Sequence, residues 1–316
     1  MTTLTRTDTA QWFQERDHFL ILTHRKPDGD AVGSSAALCL GLRSLGKQAY
    51  ILENPELTER FAYLHQDLTK AAPEDGDVLV SVDVAAPNML PEVFMAYLPR
   101  ISLRIDHHGT AASFTEFELV DPKAGACAEI IYDILMELWV DLDKPMATAL
   151  YTATATDTGC FRFSNTTDHT FLVAAACAAA GAPVYELNQV LFETVSLPRL
   201  RMQGWMVENS RFLKDGQVAL CPIPKAIETE LGVTEDDMDN ISSFLRTIAG
   251  VEMAATLREQ TDGTVKVSVR SVPGHDSGAV CARFGGGGHA GAAGATIKLP
   301  LDEAADALAR VILELF

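Results

Sequence analysis

Three short, almost wholly apolar runs each stop on polar residues: 18–22 (HFLIL), 77–82 (DVLVSV) and 101–105 (ISLRI). A shorter run at 49–52 resembles them, and the stretches around them read as helices, beginning with AVGSSAALCLGLRSLG, which stops at Gly46. Runs this apolar suit strands buried on both faces, and strands alternating with helices predict an α/β fold, a parallel sheet with helices on both faces. Ligands of such sheets bind beyond the carboxyl ends of the strands. The residues just after each run are therefore where function is sought.

From Cys127 to about Ala180 the pattern is helical: CAEIIYDILMELW, MATALYTATATDT and a segment opening near Asp168. A second composition begins near Phe212. RFLKDGQVALCPI predicts two strands about Asp215-Gly216, and 251–258 with 264–270 a second pair about Asp262-Gly263. The glycine cluster GGGGHAGAAGA then precedes a last strand and an amphipathic helix from Asp302. These readings predict a first domain over 1–187, a helical linker over 188–210 and a smaller α/β substrate-binding domain over 211–316.

Charge and cysteine usage narrow the function classes. The 316 residues carry 25 Lys and Arg against 43 Asp and Glu, a formal net charge of −18. A chain that grips long nucleic acid through its phosphates carries a basic face, so long nucleic acid is disfavoured as a partner. Six scattered cysteines without a C-x-x-C pair suit reduced thiols in the cytoplasm. The polar N-terminal segment lacks the apolar core of a secretion signal. The apolar stretch 171–180 is too short for a membrane span and reads as a buried helix, so no membrane partner is expected.

Four segments carry the chemistry. His24, Asp28 and Asp30 follow the first run, with Pro27 and Gly29 breaking regular structure so that all three can converge; Asp30 falls at or near the N-cap of the next helix. Asp83 directly follows the second run. Asp106, His107 and His108 follow the third. Asp157 lies in TATATDTG, among small and apolar residues where a lone carboxylate is costly to bury. Singly, each suits an ordinary cap or turn. Together they bring five carboxylates and three histidines to one rim, a cluster that repels itself unless a divalent cation compensates it. Carboxylates with a few imidazoles suit Mn²⁺ or a similar borderline ion better than Ca²⁺, and no thiolates demand zinc. Two such ions roughly 3.5–4 Å apart, sharing carboxylates, are the usual arrangement for hydrolysing phosphoesters.

The set H-x-x-x-D-x-D, a strand-terminal D, D-H-H and a later D resembles the DHH phosphoesterase superfamily. The cluster GGGGHAGAAGA resembles the glycine-rich motif of the DHH-associated C-terminal domain. The resemblance spans nearly the whole chain and is strongest to the bacterial nanoRNase/pAp-phosphatase branch (NrnA-type enzymes). It implies that His24 and Asp28 bind one of two divalent metal ions, that Asp30 and His107 bind the other, and that Asp83 and Asp157 are shared. It further implies that Asp106 orients the ligand histidine through its other ring nitrogen and that His108 faces the scissile phosphate. In the second domain, Gly286, Gly287 and Gly288 can bring backbone N–H groups close to a phosphate. His289 follows them with an implied role at the substrate phosphate. Arg270 with Ser271, and Arg283, are candidates for fork-like phosphate contacts, and Arg162 is a further one.

The expected reaction is metal-dependent hydrolysis of short oligoribonucleotides (nanoRNA, pApA) to 5′-mononucleotides, and of pAp to AMP and phosphate. A homodimer through the first domain is also implied. A RecJ-type exonuclease would be longer, a family II pyrophosphatase has a different second domain, and a membrane-bound cyclic-dinucleotide phosphodiesterase would need spans. A soluble phosphodiesterase acting on cyclic di-AMP or its linear product is the alternative. A non-catalytic nucleotide-binding regulator is the alternative from another class, free to lose a metal residue.

Overall fold

The computed structural model describes residues 1–109, 113–238 and 240–316, and the chain divides into two compact units, Met1–Glu193 and Thr194–Phe316. The segment 188–210, expected as a linker, is divided between them. Its helix Leu197–Asn209 belongs to the second unit, where Met202 and Met206 are fully buried. Among the described residues no helix is long and apolar enough to cross a membrane.

The first unit is built on seven strands: β1 (Thr2–Thr3), β2 (Phe19–Leu22), β3 (Ala49–Leu52), β4 (Thr69–Lys70), β5 (Val78–Val82), β6 (Ile101–Asp106) and β7 (Phe117–Val120). They pair in parallel throughout, in the order β1-β7-β6-β5-β2-β3-β4. After β2 the chain moves outward to β3 on one side, then returns to place β5 on the other. That reversal opens a crevice beyond the carboxyl ends of β2 and β5. The loops bearing His24 and Asp83 begin there.

Period-two alternation sends Phe19, Ile21, Val80, Val82, Leu103 and Ile105 to one face, into a core shared with helices Arg6–Gln14, Gly29–Ser44, Cys127–Glu137 and Lys144–Asp157. Leu20, Leu22, Leu79 and Ile101 pack on the other face with Phe94 of the 3₁₀ segment Glu92–Arg100. Both faces are covered, one by long helices and one by a thinner layer.

Helices Gly29–Ser44 and Lys144–Asp157 lie unusually close. A Cβ on Gly33 would stand 2.3 Å from the Ala149 carbonyl oxygen, and one on Gly29 would stand 2.3 Å from Thr156 Oγ1. Only glycine permits that approach. It brings Asp157, at the end of one helix, beside the start of the other. By contrast, the apolar stretch 171–180 is not a buried helix. Helix Asp168–Ala179 buries Thr170, Val173 and Cys177 and leaves Phe171 and Leu172 exposed. Its many small alanines give it little apolar area to bury on the remaining faces.

The second unit has six strands: β8 (Arg211–Leu213), β9 (Val218–Ile223), β10 (Met253–Glu259), β11 (Val265–Ser271), β12 (Gly287–His289) and β13 (Ala292–Ile297). Their order is β12-β13-β11-β10-β9-β8, with only β9 and β10 parallel. Helix Leu301–Leu315 covers one face through Ala304, Ala305, Leu308 and Ile312. Met202 and Met206 help to cover the other. The glycine cluster does more than precede the last strand. It forms β12, and a Cβ on Gly286 would stand 2.2 Å from the Gly294 carbonyl oxygen of β13.

Candidate metal centre

The loop after β2 is held where it reaches its first candidate ligand, His24. Asn54 Nδ2 donates to Thr23 Oγ1 at 3.0 Å and to the His24 carbonyl oxygen at 2.8 Å. His24 Nδ1 donates to the Arg25 carbonyl oxygen at 2.8 Å, which leaves Nε2 able to bind a cation. That atom lies 3.7 Å from Asp28 Oδ1 and 3.7 Å from Asp83 Oδ2.

Asp28, not Asp30, is the N-cap of helix Gly29–Ser44, accepting from the Asp30 and Ala31 amides at 3.1 Å each. Asp30 sits in the first turn, and its buried carboxylate caps a different helix. It accepts from the Cys127 amide at 2.6 Å, from the Ala128 amide at 3.1 Å and from Ser34 Oγ at 2.8 Å. Those two amides open helix Cys127–Glu137, where a negative charge is favoured.

Asp83 joins the parts of the site. Directly after β5 its backbone takes a left-handed φ of 59°, rare for a residue other than glycine, and its amide donates to the Ile105 carbonyl oxygen at 2.9 Å. The carboxylate is 2% exposed. Oδ2 faces His24, while Oδ1 lies 3.6 Å from His107 Nε2 and 3.5 Å from His108 Nδ1. Oδ1 is buried without a hydrogen-bond partner. A buried carboxylate oxygen in that condition calls for a cation.

His107 Nδ1 donates to the Ala124 carbonyl oxygen at 3.2 Å, directing Nε2 to within 3.8 Å of Asp30 Oδ2 and of Asp157 Oδ2. Asp106 therefore does not orient this histidine through its ring, as expected from sequence. It accepts instead from the His107 amide at 2.9 Å and from His108 Nδ1 at 2.8 Å. Asp157 is steadied by Asn165, whose Nδ2 donates to its carbonyl oxygen at 3.2 Å and to Oδ2 at 3.3 Å. Three overlapping donor sets result: His24 with Asp28 and Asp83; Asp30 with His107 and Asp157; Asp83 with His107 and His108.

In the absence of a cation, burial and mutual repulsion shift most of these groups towards their protonated forms. Burial and then the Asp157 charge push Asp30 up to about 7. Burial pushes Asp157 up to about 6, partly countered by His107. Burial and the charges of Asp30, Asp28, Asp106 and Asp157 drive Asp83 well above the carboxylate range. Burial opposes charging of His107, yet Asp30 and Asp157 raise it overall. Asp106 differs: burial opposes its ionisation, but His108 and Arg104 hold it below its ordinary value.

A pH dependence follows. For carboxyls raised in the folded state, the folded chain binds more protons than the unfolded one between the two pKa values, so their contribution to stability falls as pH rises. With Asp30 at about 7 and Asp157 at about 6 against 3.8 unperturbed, the loss runs from about pH 4 to about pH 7. A saturating divalent cation is expected to raise the melting temperature more at about pH 8 than at about pH 5.5, because at the lower pH it must displace these protons. Equal increments in a thermal-shift assay would contradict this description of the cluster.

The candidate residues of the second unit are only partly gathered. Arg270, Ala292 and His289 stand in one register row across β11, β13 and β12, so Arg270 and His289 flank a single strand. Gly287 and Gly288 lie just before His289. Ser271 is buried, with its hydroxyl oxygen 2.7 Å from the Ala290 carbonyl oxygen and 2.9 Å from Ser277 Oγ, so its own fold already engages it. Arg283 pairs with Glu314 at 3.2 Å. In the first unit, exposed Arg162 donates through Nε to the Gly159 carbonyl oxygen at 2.6 Å.

Two residues of the metal centre carry no sequence signal of their own. Arg104 reads as one more strand residue, yet it is 1% exposed and pairs with Asp106 beneath the histidines. Asn165 lies eight residues beyond Asp157, which it steadies. Its place in FRFSNTT, just after Asp157, is the only hint.

Comparisons with known proteins agree with this geometry. The DHH family, N-terminal domain, matches residues 18–154, and the DHHA1 domain matches residues 217–315. The bifunctional oligoribonuclease and PAP phosphatase NrnA of Thermus thermophilus is 34% identical over 298 residues, covering 93% of this chain and 89% of its own. The protein of that name from Bacillus subtilis is 26% identical, covering 92% and 93%. A crystal structure of an exopolyphosphatase-related protein from Bacteroides fragilis has the same fold, with a TM-score of 0.85, 24% identity and coverage of 98% and 96%. A parallel sheet whose strand ends gather these carboxylates and histidines, followed by a second α/β unit with a glycine-rich strand, places the chain in the DHH family, with a DHHA1 domain after its N-terminal domain.

Proposed function

We propose that the protein is a Mn²⁺-dependent phosphoesterase. Its substrates would be very short oligoribonucleotides, cleaved to 5′-mononucleotides, and pAp, cleaved to AMP and phosphate. The observation that carries this reading is the Asp83 carboxylate, whose two oxygens face two different donor sets, as a carboxylate shared by two ions must. The relatives' names support the substrate class, and a net charge of −18 supports short ligands over long ones.

His24, Asp28 and Asp83 would hold one ion, and Asp30, His107, Asp157 and Asp83 the other. When bound, the two ions supply acidified water and positive charge beside the phosphate oxygens. The chain's own groups do the rest. His108, fixed through Nδ1 by Asp106, keeps Nε2 for a phosphate oxygen. Asn165 holds Asp157 in place. In the second unit, Arg270, His289 and the backbone of 286–288 would bind the far end of the nucleotide. Ser271 would support that row through its bond to Ala290. The expected setting is a cytoplasmic homodimer. A regulator that binds without hydrolysis has no need of the complete donor set assembled here.

His289→Ala tests the division of labour. It is expected to lower kcat/KM for pAp by about tenfold or more while sparing a small activated phosphodiester with no nucleoside. Equal losses on both would move His289 into the chemical step. Absence of nucleotide turnover in the unaltered protein would overturn the reading.

A further inference from the structure

The first unit contains a cavity of about 630 Å³ beside the metal-binding loop, within the range of about 300–1,000 Å³ usual for small-molecule sites. Arg25 and Lys26, which lie between His24 and Asp28 in sequence, form one side of it. Among the described residues, neither side chain has an ion-pair or hydrogen-bond partner. Two cations left free in a chain of net charge −18 are uncommon company for a carboxylate cluster.

Their loop is also pre-shaped. Lys26 takes a left-handed φ of 49°, a conformation that persists only where neighbours enforce it. Asn54 holds the loop from one side. The Arg25 amide donates to the Met89 carbonyl oxygen at 2.7 Å on the other. That bond ties the loop to the 3₁₀ turn Pro87–Met89, which carries Asn88 into the cavity wall.

The rest of the lining suits more than a bare anion. Met95, 40% exposed, provides an apolar surface for the face of a base, with the buried Leu90 behind it. Asn88 offers an amide donor and acceptor, the pair that reads a base edge. Glu56 and Glu92 add acceptors for ribose hydroxyls or an exocyclic amine, and they would repel an isolated phosphate. The mixture of cations, acceptors and an apolar wall matches a nucleoside attached to a phosphate.

Resting on the proposed function, we infer that this cavity seats the nucleoside downstream of the scissile phosphate. Releasing 5′-mononucleotides requires water oxygen to bond to phosphorus while the bond from phosphorus to the upstream O3′ breaks, O3′ taking the proton. The phosphate then departs on the 5′ oxygen of the downstream nucleoside. A dinucleotide such as pApA has that nucleoside. pAp has nothing beyond its 3′ phosphate. The cavity therefore separates the two activities: it contributes to dinucleotide cleavage and is empty during pAp cleavage.

The test compares kcat/KM for pApA and pAp, with Mn²⁺, in the full-length protein and two variants. Arg25→Ala/Lys26→Ala removes both cations, and Met95→Glu charges the apolar wall without altering the metal-binding loop. Each is expected to lower pApA cleavage about ten- to a hundredfold relative to pAp cleavage. Parallel losses on both substrates in Met95→Glu, or no loss on pApA, would overturn the assignment while leaving the phosphoesterase reading in place. Unaltered protein that hydrolyses neither substrate would overturn both.

Discussion

Asp83→Asn is expected to reduce turnover of pAp and dinucleotides by at least about a thousandfold, roughly 4 kcal/mol of transition-state stabilisation, without unfolding the protein. The side chain keeps its shape, so the left-handed turn after β5 and its amide bond to Ile105 persist. What disappears is a buried charge whose two oxygens face His24 on one side and His107 with His108 on the other. In the metal-free protein burial, and then the charges of Asp30, Asp28, Asp106 and Asp157, disfavour that charge. The metal-free variant should therefore melt at the same temperature as the parent or above it, while the increment given by Mn²⁺ shrinks. Turnover within about tenfold of the parent would remove Asp83 from its shared position.

Arg104→Met is expected to be the most destabilising single change at the site. The guanidinium is 1% exposed; it donates to Asp106 Oδ2, lies 3.9 Å from Glu118 Oε1 and stands 5.4 Å from the Phe114 ring centre. Methionine fills much of the space but leaves two buried carboxylates without their cation. Breaking a buried pair from one side costs about 3–5 kcal/mol. For a unit of this size that corresponds to a fall in melting temperature of roughly 10 °C. The loss should also reach activity, because Asp106 orients His108 and is kept ionised partly by Arg104. A variant that melts within about two degrees of the parent would show that Asp106 and Glu118 are satisfied by other means.

The central strands and the cluster of carboxylates and histidines at their ends were legible in the sequence for the same reason. β2, β5 and β6 are buried on both faces, so they read as unbroken apolar runs, and a parallel sheet presents its ligands just beyond such runs. β7 (FELV) was not legible, because Glu118 interrupts its apolar character to meet Arg104. Arg104 was hidden in the same way, as a cation inside a strand. The close packing that delivers Asp157 depends on Gly33, whose spacing from its neighbours shows no pattern until the Ala149 carbonyl is seen against it. The glycine cluster was legible as a phosphate-binding candidate. That it is also a strand was not, since glycine is a poor strand former and is required here only by the approach of β13. Ser271 and Arg283 were chosen by residue type, and their engagement by Ala290 and Glu314 depends on tertiary contacts that no local pattern encodes.

The central claim is that a shared-carboxylate metal centre in an acidic chain serves short nucleotides. It is tested most directly by turnover with Mn²⁺ across pAp, pApA, cyclic di-AMP, pyrophosphate and RNAs of two, five and about twenty nucleotides. The account predicts that pAp and the two-nucleotide RNA are hydrolysed fastest, that rates fall with RNA length, and that chelation abolishes them all. Preference for the longest RNA would contradict it, because affinity would then be dominated by phosphate contacts along a strand that a chain of net charge −18 is not built to hold.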